Sequence, residues 1–291
     1  MKISKMDLTN RIDRSSLPQY DLDQESLEDL TIESQVSPEP RAPNPSLDLP
    51  PTHPSITAQA SVPVPPSQIL QFRLLRTLGT KETTIELLIE DSGRPQLIMV
   101  AKRIPTLLPS YRIYTVVESS GSPTLELVGG VSSYSLGTAF RVFESTKESD
   151  SPIEIATVSY KSNILGRNGP RKITVYIPGM TNELTRIPIA TTLESLEVLK
   201  SSGNENIIQL QNKIPQWNEE TQSFVLNFNG RVAAASVKNF QIVHERDLEL
   251  ITLQFGRVSE NVFSMDVRYP FSILQAFGIV LTSFVTKFAC E

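Results

Sequence analysis

The chain has 291 residues, 39% of them hydrophobic, and a formal net charge of -5. That length supports one large domain with a tail, or two modest domains, with a core that needs no covalent staples. A single cysteine, Cys290, excludes an intramolecular disulfide framework and a cysteine-rich zinc site, and fits a reducing compartment.

The first residues, MKISKMDLTNRIDRSS, lack an apolar h-region and hold too much acid for a mitochondrial presequence, so an intracellular protein is expected. From Met1 to Gln68 there are five Lys/Arg against ten Asp/Glu, which accounts for the whole net charge. The remainder balances, so neither part is a basic body able to hold nucleic acid by counterion release.

Residues 1–68 are acidic and, from Pro38 to Pro66, proline-rich. Proline removes donors and fixes φ, and the apolar residues are too sparse to offset the entropy of ordering, so this segment is expected to be a disordered tail. Within it, Asp23 to Ile32 has the spacing of a short amphipathic helix through Leu27 and Leu30, suited to docking on a protein partner.

From Ile69 onward short apolar runs alternate with turn residues. The pattern predicts strands at Leu70–Arg76, Thr84–Glu90, Gln96–Lys102, Arg112–Glu118, Thr124–Val128, Ala139–Glu144, Ile153–Ser159, Lys172–Ile177, Ile207–Gln211, Phe224–Asn227, Ser236–Val243, Leu250–Val258 and Val262–Val267. Gly121-Ser-Pro, Gly129-Gly130, Arg167-Asn-Gly-Pro and Asn229-Gly230 read as turns between them. So many closely spaced strands favour an all-β barrel or sandwich. Leu193 to Lys200 stands apart as a helical excursion.

The last stretch, from Tyr269 onward, is the most apolar of the chain, with Phe271, Leu274, Phe277, Val280, Leu281, Phe284 and Phe288 facing nearly every direction of a helix. A helix apolar all round is buried, in a bilayer or in protein. A tail anchor has the right place and nearly the right length. Against it stand Ser272, Gln275, Thr282, Ser283, Thr286 and Lys287. The plug of a closed barrel satisfies all of these residues.

Catalytic patterns are missing. His53 lies in the tail and His244 follows an apolar strand, so no base is placed beside a Ser or Cys, and Cys290 next to Glu291 is a poor setting for a thiolate. No metal-ligand spacing occurs, and Gly166 to Lys172 lacks the spacing of a phosphate-binding loop. The expectation is a non-enzyme without catalytic residues, metal or cofactor. Arg231, Lys238 and Arg257 are expected to pair with carboxylates such as Asp266 or with carbonyls, and Trp217 to pack on the barrel wall.

The final third resembles the Tubby C-terminal domain family. The similarity rests on Pro215-Gln-Trp-Asn218, Phe224 to Val232, Ala235 to His244, Gln254-Phe-Gly-Arg257, Phe263-Ser-Met-Asp266, Tyr269-Pro270, Leu274-Gln-Ala-Phe277, Ser283-Phe284 and the closing Ala289-Cys-Glu291. Upstream, Asn163 to Gly166, Gly169 to Lys172 and Ile177-Pro-Gly-Met180 resemble the family's middle block. The resemblance implies residues 69–291 forming a mainly β domain, a closed antiparallel barrel of about twelve strands around the C-terminal helix. It also implies a monomeric cytosolic adaptor that binds phosphoinositide of the 4,5-bisphosphate type. Such an adaptor acts at the plasma or ciliary membrane, in transport to cilia, or in the nucleus.

In that family a Lys-x-Arg pair on one strand and an Arg on a neighbouring one grip the phosphates, since charge-assisted bonds to phosphate are strong and Arg grips two oxygens at once. Here Gly137 to Phe140 aligns with the family's Gly-Thr-x-Phe block. That places Gly130 and Ser132 at the Lys and Arg positions, Pro152 at the second Arg and Ser110 at the assisting Asn. Lys102, Arg103, Arg112 and Arg141 remain nearby as compensating cations. Two readings stay open: a membrane adaptor with a rebuilt lipid site and a protein-recruiting tail, or a protein-interaction barrel that has lost the clamp.

Overall fold

The computed structural model describes residues 57, 59–80, 82–90, 94–106, 108, 110–119, 122–135, 137–145, 151–161, 172–189, 195–219 and 223–285. The acidic segment before residue 57, the short helix at Asp23 to Ile32, the turn at Gly166 to Arg171, the side chain of Trp217, and residues 286–291 with Lys287 and Cys290 lie outside the described residues.

Twelve antiparallel strands close into a barrel: β1 (Leu70–Leu78), β2 (Thr83–Ile89), β3 (Gln96–Ile104), β4 (Ser110–Ser119), β5 (Ser122–Ser135), β6 (Ala139–Glu144), β7 (Ile153–Lys161), β8 (Lys172–Pro178), β9 (Ile207–Asn212), β12 (Phe240–His244), β13 (Asp247–Arg257) and β14 (Val262–Val267). Sequential strands neighbour one another except where β9 meets β12, and β14 closes the ring on β1. The excursion between β9 and β12 holds a separate two-stranded sheet, β10 (Gln216–Asn218) with β11 (Ser223–Val225). The period-2 alternation is plain in β1, where Phe72 and Leu74 turn into the core and Gln71 and Arg73 turn outward. The predicted helical excursion is α1 (Leu196–Ser201), capped by Ser195.

Through the barrel runs α2 (Ile273–Thr282), every residue of which is buried. It is shorter than the apolar stretch suggested, because Ser272 caps its start in a capping box with Gln275. Each fully buried Leu, Ile or Phe contributes about 1.5–3 kcal/mol, so this one helix supplies much of the core's stabilisation. Of the polar residues that argued against a bilayer, those among the described residues find partners. Gln275 Nε2 donates to Ile155 O at 2.7 Å, Thr282 Oγ1 lies 2.7 Å from Tyr160 Oη and donates to Ile279 O, and Ser283 Oγ donates to Val280 O. No helix among the described residues is long and apolar enough to cross a membrane.

Three sequence expectations are corrected. The barrel domain does not begin at Ile69. Leu274 N donates to Ala60 O and Val64 N to Phe271 O, both at 2.9 Å, and Pro63 bridges Ser272. A proline-rich stretch with few apolar residues looked unable to order, yet its carbonyl serves an N–H that the first turn of α2 leaves without an intrahelical partner, and Ala60 and Val64 fill the space beside it. Gly129-Gly130 is not a turn but the middle of β5. A Cβ at Gly129 would sit 2.2 Å from Phe143 O, and one at Gly130 2.7 Å from Tyr111 O, so these glycines permit close approach of the flanking strands. The expected strand from Ser236 begins only at Phe240, because Asn239 N turns back to Ser236 O.

Candidate functional site

The residues singled out for anion binding fall on one wall, β3 to β7. Ile113, Val131, Phe140 and Val142 point into the core, so their neighbours Arg112, Gly130, Ser132 and Arg141 point out. Register then sets the outer surface in rows. One row runs Thr84, Lys102, Arg112, Gly130, Phe143. The next runs Ile104, Ser110, Ser132, Arg141, Thr157.

Two of the three positions where the resemblance leads one to expect a cation have a basic residue directly across a strand: Arg112 beside Gly130, and Arg141 beside Ser132. Ser110 stands opposite Ser132, with its hydroxyl 2.9 Å from that of Thr106. Pro152 is not part of this cluster. It precedes β7, whose first residue Ile153 pairs with Glu144 two strands away from β4, and it is exposed. Arg103 is brought near in a different sense: it opposes Tyr111, at the level where the β3–β4 pair ends. Burial pushes the Tyr111 phenol up to about 12 against the opposing pull of Arg103 and Arg76.

The four cations differ in availability. Arg141 Nε lies 3.4 Å from Glu154 Oε2, and its guanidinium sits 4.9 Å over the Tyr134 ring. Glu154 is itself held in place: it accepts from the Thr157 hydroxyl and from the Leu196 amide at the start of α1. Burial raises its carboxyl above the ordinary range, with Thr157, Leu196 and Arg141 pulling the other way. Lys102 reaches Glu82 at 3.4 Å in an exposed pair, which is weak. Arg112 and Arg103 are exposed and make no ion pair among the described residues. Lys102 also stands directly opposite Arg112, two like charges on neighbouring strands whose repulsion the weak, exposed Lys102–Glu82 pair offsets only in part. Sequence reading missed Glu154, Glu82 and Tyr134, since nothing local to them signals which cation they meet.

Two of the other candidate cations, Arg231 and Arg257, are structural. Arg231 binds Asp266 at 2.8 Å and Glu90 at 2.7 Å, and Arg73 reaches the other oxygen of Glu90 at 2.8 Å, so the excursion between β9 and β12 is pinned to β14 and β2. Arg257 donates to the carbonyl of Ser259. No group of His, Cys, Asp and Glu able to hold a metal occurs among the described residues.

A twelve-stranded antiparallel barrel whose core is its own C-terminal helix defines a helix-filled barrel domain of the Tubby type. The sequence model of the Tub family matches residues 60–286, from the residue whose carbonyl meets α2, and the chain belongs to that family. Over 170 residues it is 52% identical to "Protein king tubby" of Drosophila grimshawi, covering 56% of this chain and 38% of that protein. The protein of the same name in Drosophila pseudoobscura pseudoobscura is 51% identical over 170 residues, with 37% of its length covered. The matched region is thus well under half of the curated relatives' length.

Proposed function

We propose that this barrel is a non-enzymatic adaptor that docks on membranes by binding a phosphoinositide headgroup, of the bisphosphate type, on the wall formed by β3 to β6. The observation that carries the reading is the direct opposition of Lys102 and Arg112, next to the open surface at Gly130. Two cations so placed relieve their mutual repulsion by sharing an anion, and a bisphosphate offers several acceptor oxygens at that spacing. In this reading the clamp is rebuilt one and two strands to the side of where the resemblance places it, by Arg112 on β4 and Lys102 on β3. Family membership supports the lipid class, and the acidic segment upstream of residue 57 serves to recruit a protein partner. Placement at the plasma or ciliary membrane follows from the same reading.

The test is co-sedimentation of the full chain with neutral vesicles, with phosphatidylserine vesicles and with vesicles containing phosphatidylinositol 4,5-bisphosphate. Each basic residue near an anionic surface is worth about 1 kcal/mol, so Lys102→Gln with Arg112→Gln should weaken bisphosphate-vesicle binding at least about tenfold. A wild-type chain that prefers no anionic vesicle overturns the reading. It would favour the second one, a protein-interaction barrel without lipid clamp, which draws on the neutral Gly130, Ser132 and Pro152 and on the engagement of Arg141 by Glu154.

A further inference from the structure

Beyond Thr115, β4 pairs only with β5 among the described residues. Residues 116–119 pair with 122–125 of β5, and neither run pairs with a third strand among the described residues. The hairpin therefore continues as a two-stranded ribbon past the level where β3 and β6 pair with it, with Val116 at its base still packed against Leu88, Leu97 and Val100. Alternation from the core residue Ile113 puts Arg112, Tyr114 and Val116 on the outer face, and register sets Leu127 opposite Tyr114 and Leu125 opposite Val116. Next to the row of Lys102 and Arg112 thus comes a row of Val100, Tyr114 and Leu127, and then Val116 with Leu125. Leu127 is 45% exposed and Leu125 39%, while Val100 and Val116 belong to a small apolar cluster, with Leu88 and Leu97, separate from the barrel core.

Scattered exposed leucines need no explanation. These two are not scattered. They extend an apolar cluster, they sit on a ribbon that pairs with no third strand among the described residues, and they adjoin two cations on the same face. Cations followed by apolar side chains match the order in which a bilayer presents phosphate and then acyl chain.

We infer that the β4–β5 ribbon inserts its Leu125 and Leu127 face into the interfacial layer of an anionic bilayer while Lys102 and Arg112 meet the headgroup phosphates. This rests on the lipid reading above and adds to it an apolar component of docking that salt does not screen. Tyr114, in the row of Leu127 and next to the cation row, lies at the depth where an amphipathic ring is favoured. Glu86, across from Val100 in the same row, is half-buried among these apolar side chains, which favours its neutral form as the wall approaches lipid.

The experiment uses the full chain. Leu125→Asn with Leu127→Asn should lower partition onto bisphosphate vesicles about tenfold, the scale expected for two leucines that give up their remaining exposure. Affinity for soluble inositol 1,4,5-trisphosphate should stay the same, and the binding left at high salt should disappear. In a separate variant, Leu127→Trp should add emission that is quenched by lipids brominated on the acyl chain. Unchanged vesicle binding by the double variant, or an unquenched Trp at 127, overturns insertion while leaving headgroup binding intact. Binding to phosphatidylserine vesicles without bisphosphate preference, but weakened by the leucine changes, overturns the headgroup reading and upholds insertion. A wild-type chain that binds no vesicle overturns both.

Discussion

Gly278, in the middle of α2, offers a sharp test of the helix-filled core. An ideal Cβ there would lie 2.3 Å from Val142 Cγ1 and 3.1 Å from Cγ2, against the roughly 3.5–4.0 Å of an ordinary carbon contact. Val142 is fully buried, on β6, and its branched side chain is too short to swing aside. Gly278→Ala has favourable contributions too. Helix propensity improves by about 1 kcal/mol, and burying one methyl adds about 0.8 kcal/mol. Overpacking a close-packed wall costs about 1–3 kcal/mol, and a gap more than 1 Å too small puts this site at the upper end. The net is a loss of about 1 kcal/mol, or roughly 2–4 °C in melting temperature for a domain of this size. Gly278→Leu adds three further carbons with no space for them and should prevent soluble folding.

The decisive assay is a denaturant-melt cycle with Val142→Ala. The smaller side chain opens room for the new methyl, so the double variant should be more stable than the sum of the single changes by at least about 1 kcal/mol. A Gly278→Ala protein that melts higher than wild type would mean that propensity outweighs packing. Additive behaviour in the cycle would mean that Val142 is not what the helix meets. Either result refutes the close contact between the helix and the barrel wall.

Arg231→Met removes the shared partner of Glu90 and Asp266 and should cost about 2–3 kcal/mol in a urea melt, less than a fully buried pair because the site is partly open to solvent. For the Glu90 carboxyl, burial alone would raise the pKa, but hydrogen bonds and charge from Arg231 and Arg73 bring it below the ordinary value. A lowered folded-state pKa contributes stability that is present above the unfolded value and lost as pH falls through the folded one, so the wild-type advantage over Arg231→Met should shrink below about pH 4. Glu86 behaves oppositely. Burial raises its pKa, so its native state grows less stable as pH rises above the unfolded carboxylate range. Glu86→Gln should therefore melt like wild type near pH 4 and increasingly above it toward pH 7; an equal offset at both pH values would contradict the burial argument.

Much of the architecture was legible because it is written in local periodicity. Phe72 and Leu74 alternate with Gln71 and Arg73, and α2 is apolar on all sides, so both had to be buried by whatever surrounded them. Element ends were less legible. β5 runs from Ser122 to Ser135, through the glycines that looked like a turn, because what Gly129 avoids is the carbonyl of Phe143, a residue fourteen positions on. The β10 strand around Trp217 gave too short a signal to find.

The site divides in the same way. The resemblance pointed to Gly130 and Ser132, and the sequence around them supplied Lys102, Arg103, Arg112 and Arg141 as nearby cations. Only the folded barrel decided that Arg112 lies across from Gly130, that Lys102 faces Arg112, and that Arg141 is held by Glu154. The physical reason is that strand register is nonlocal. A bulge such as the one between Ile113 and Tyr114 shifts every later pairing, so which charge meets which is settled by closure of the whole ring. That the last helix must be buried was determined by its own side chains. That it is buried in a barrel, with Ala60 at its first turn and Val142 against its glycine, was decided by the tertiary structure.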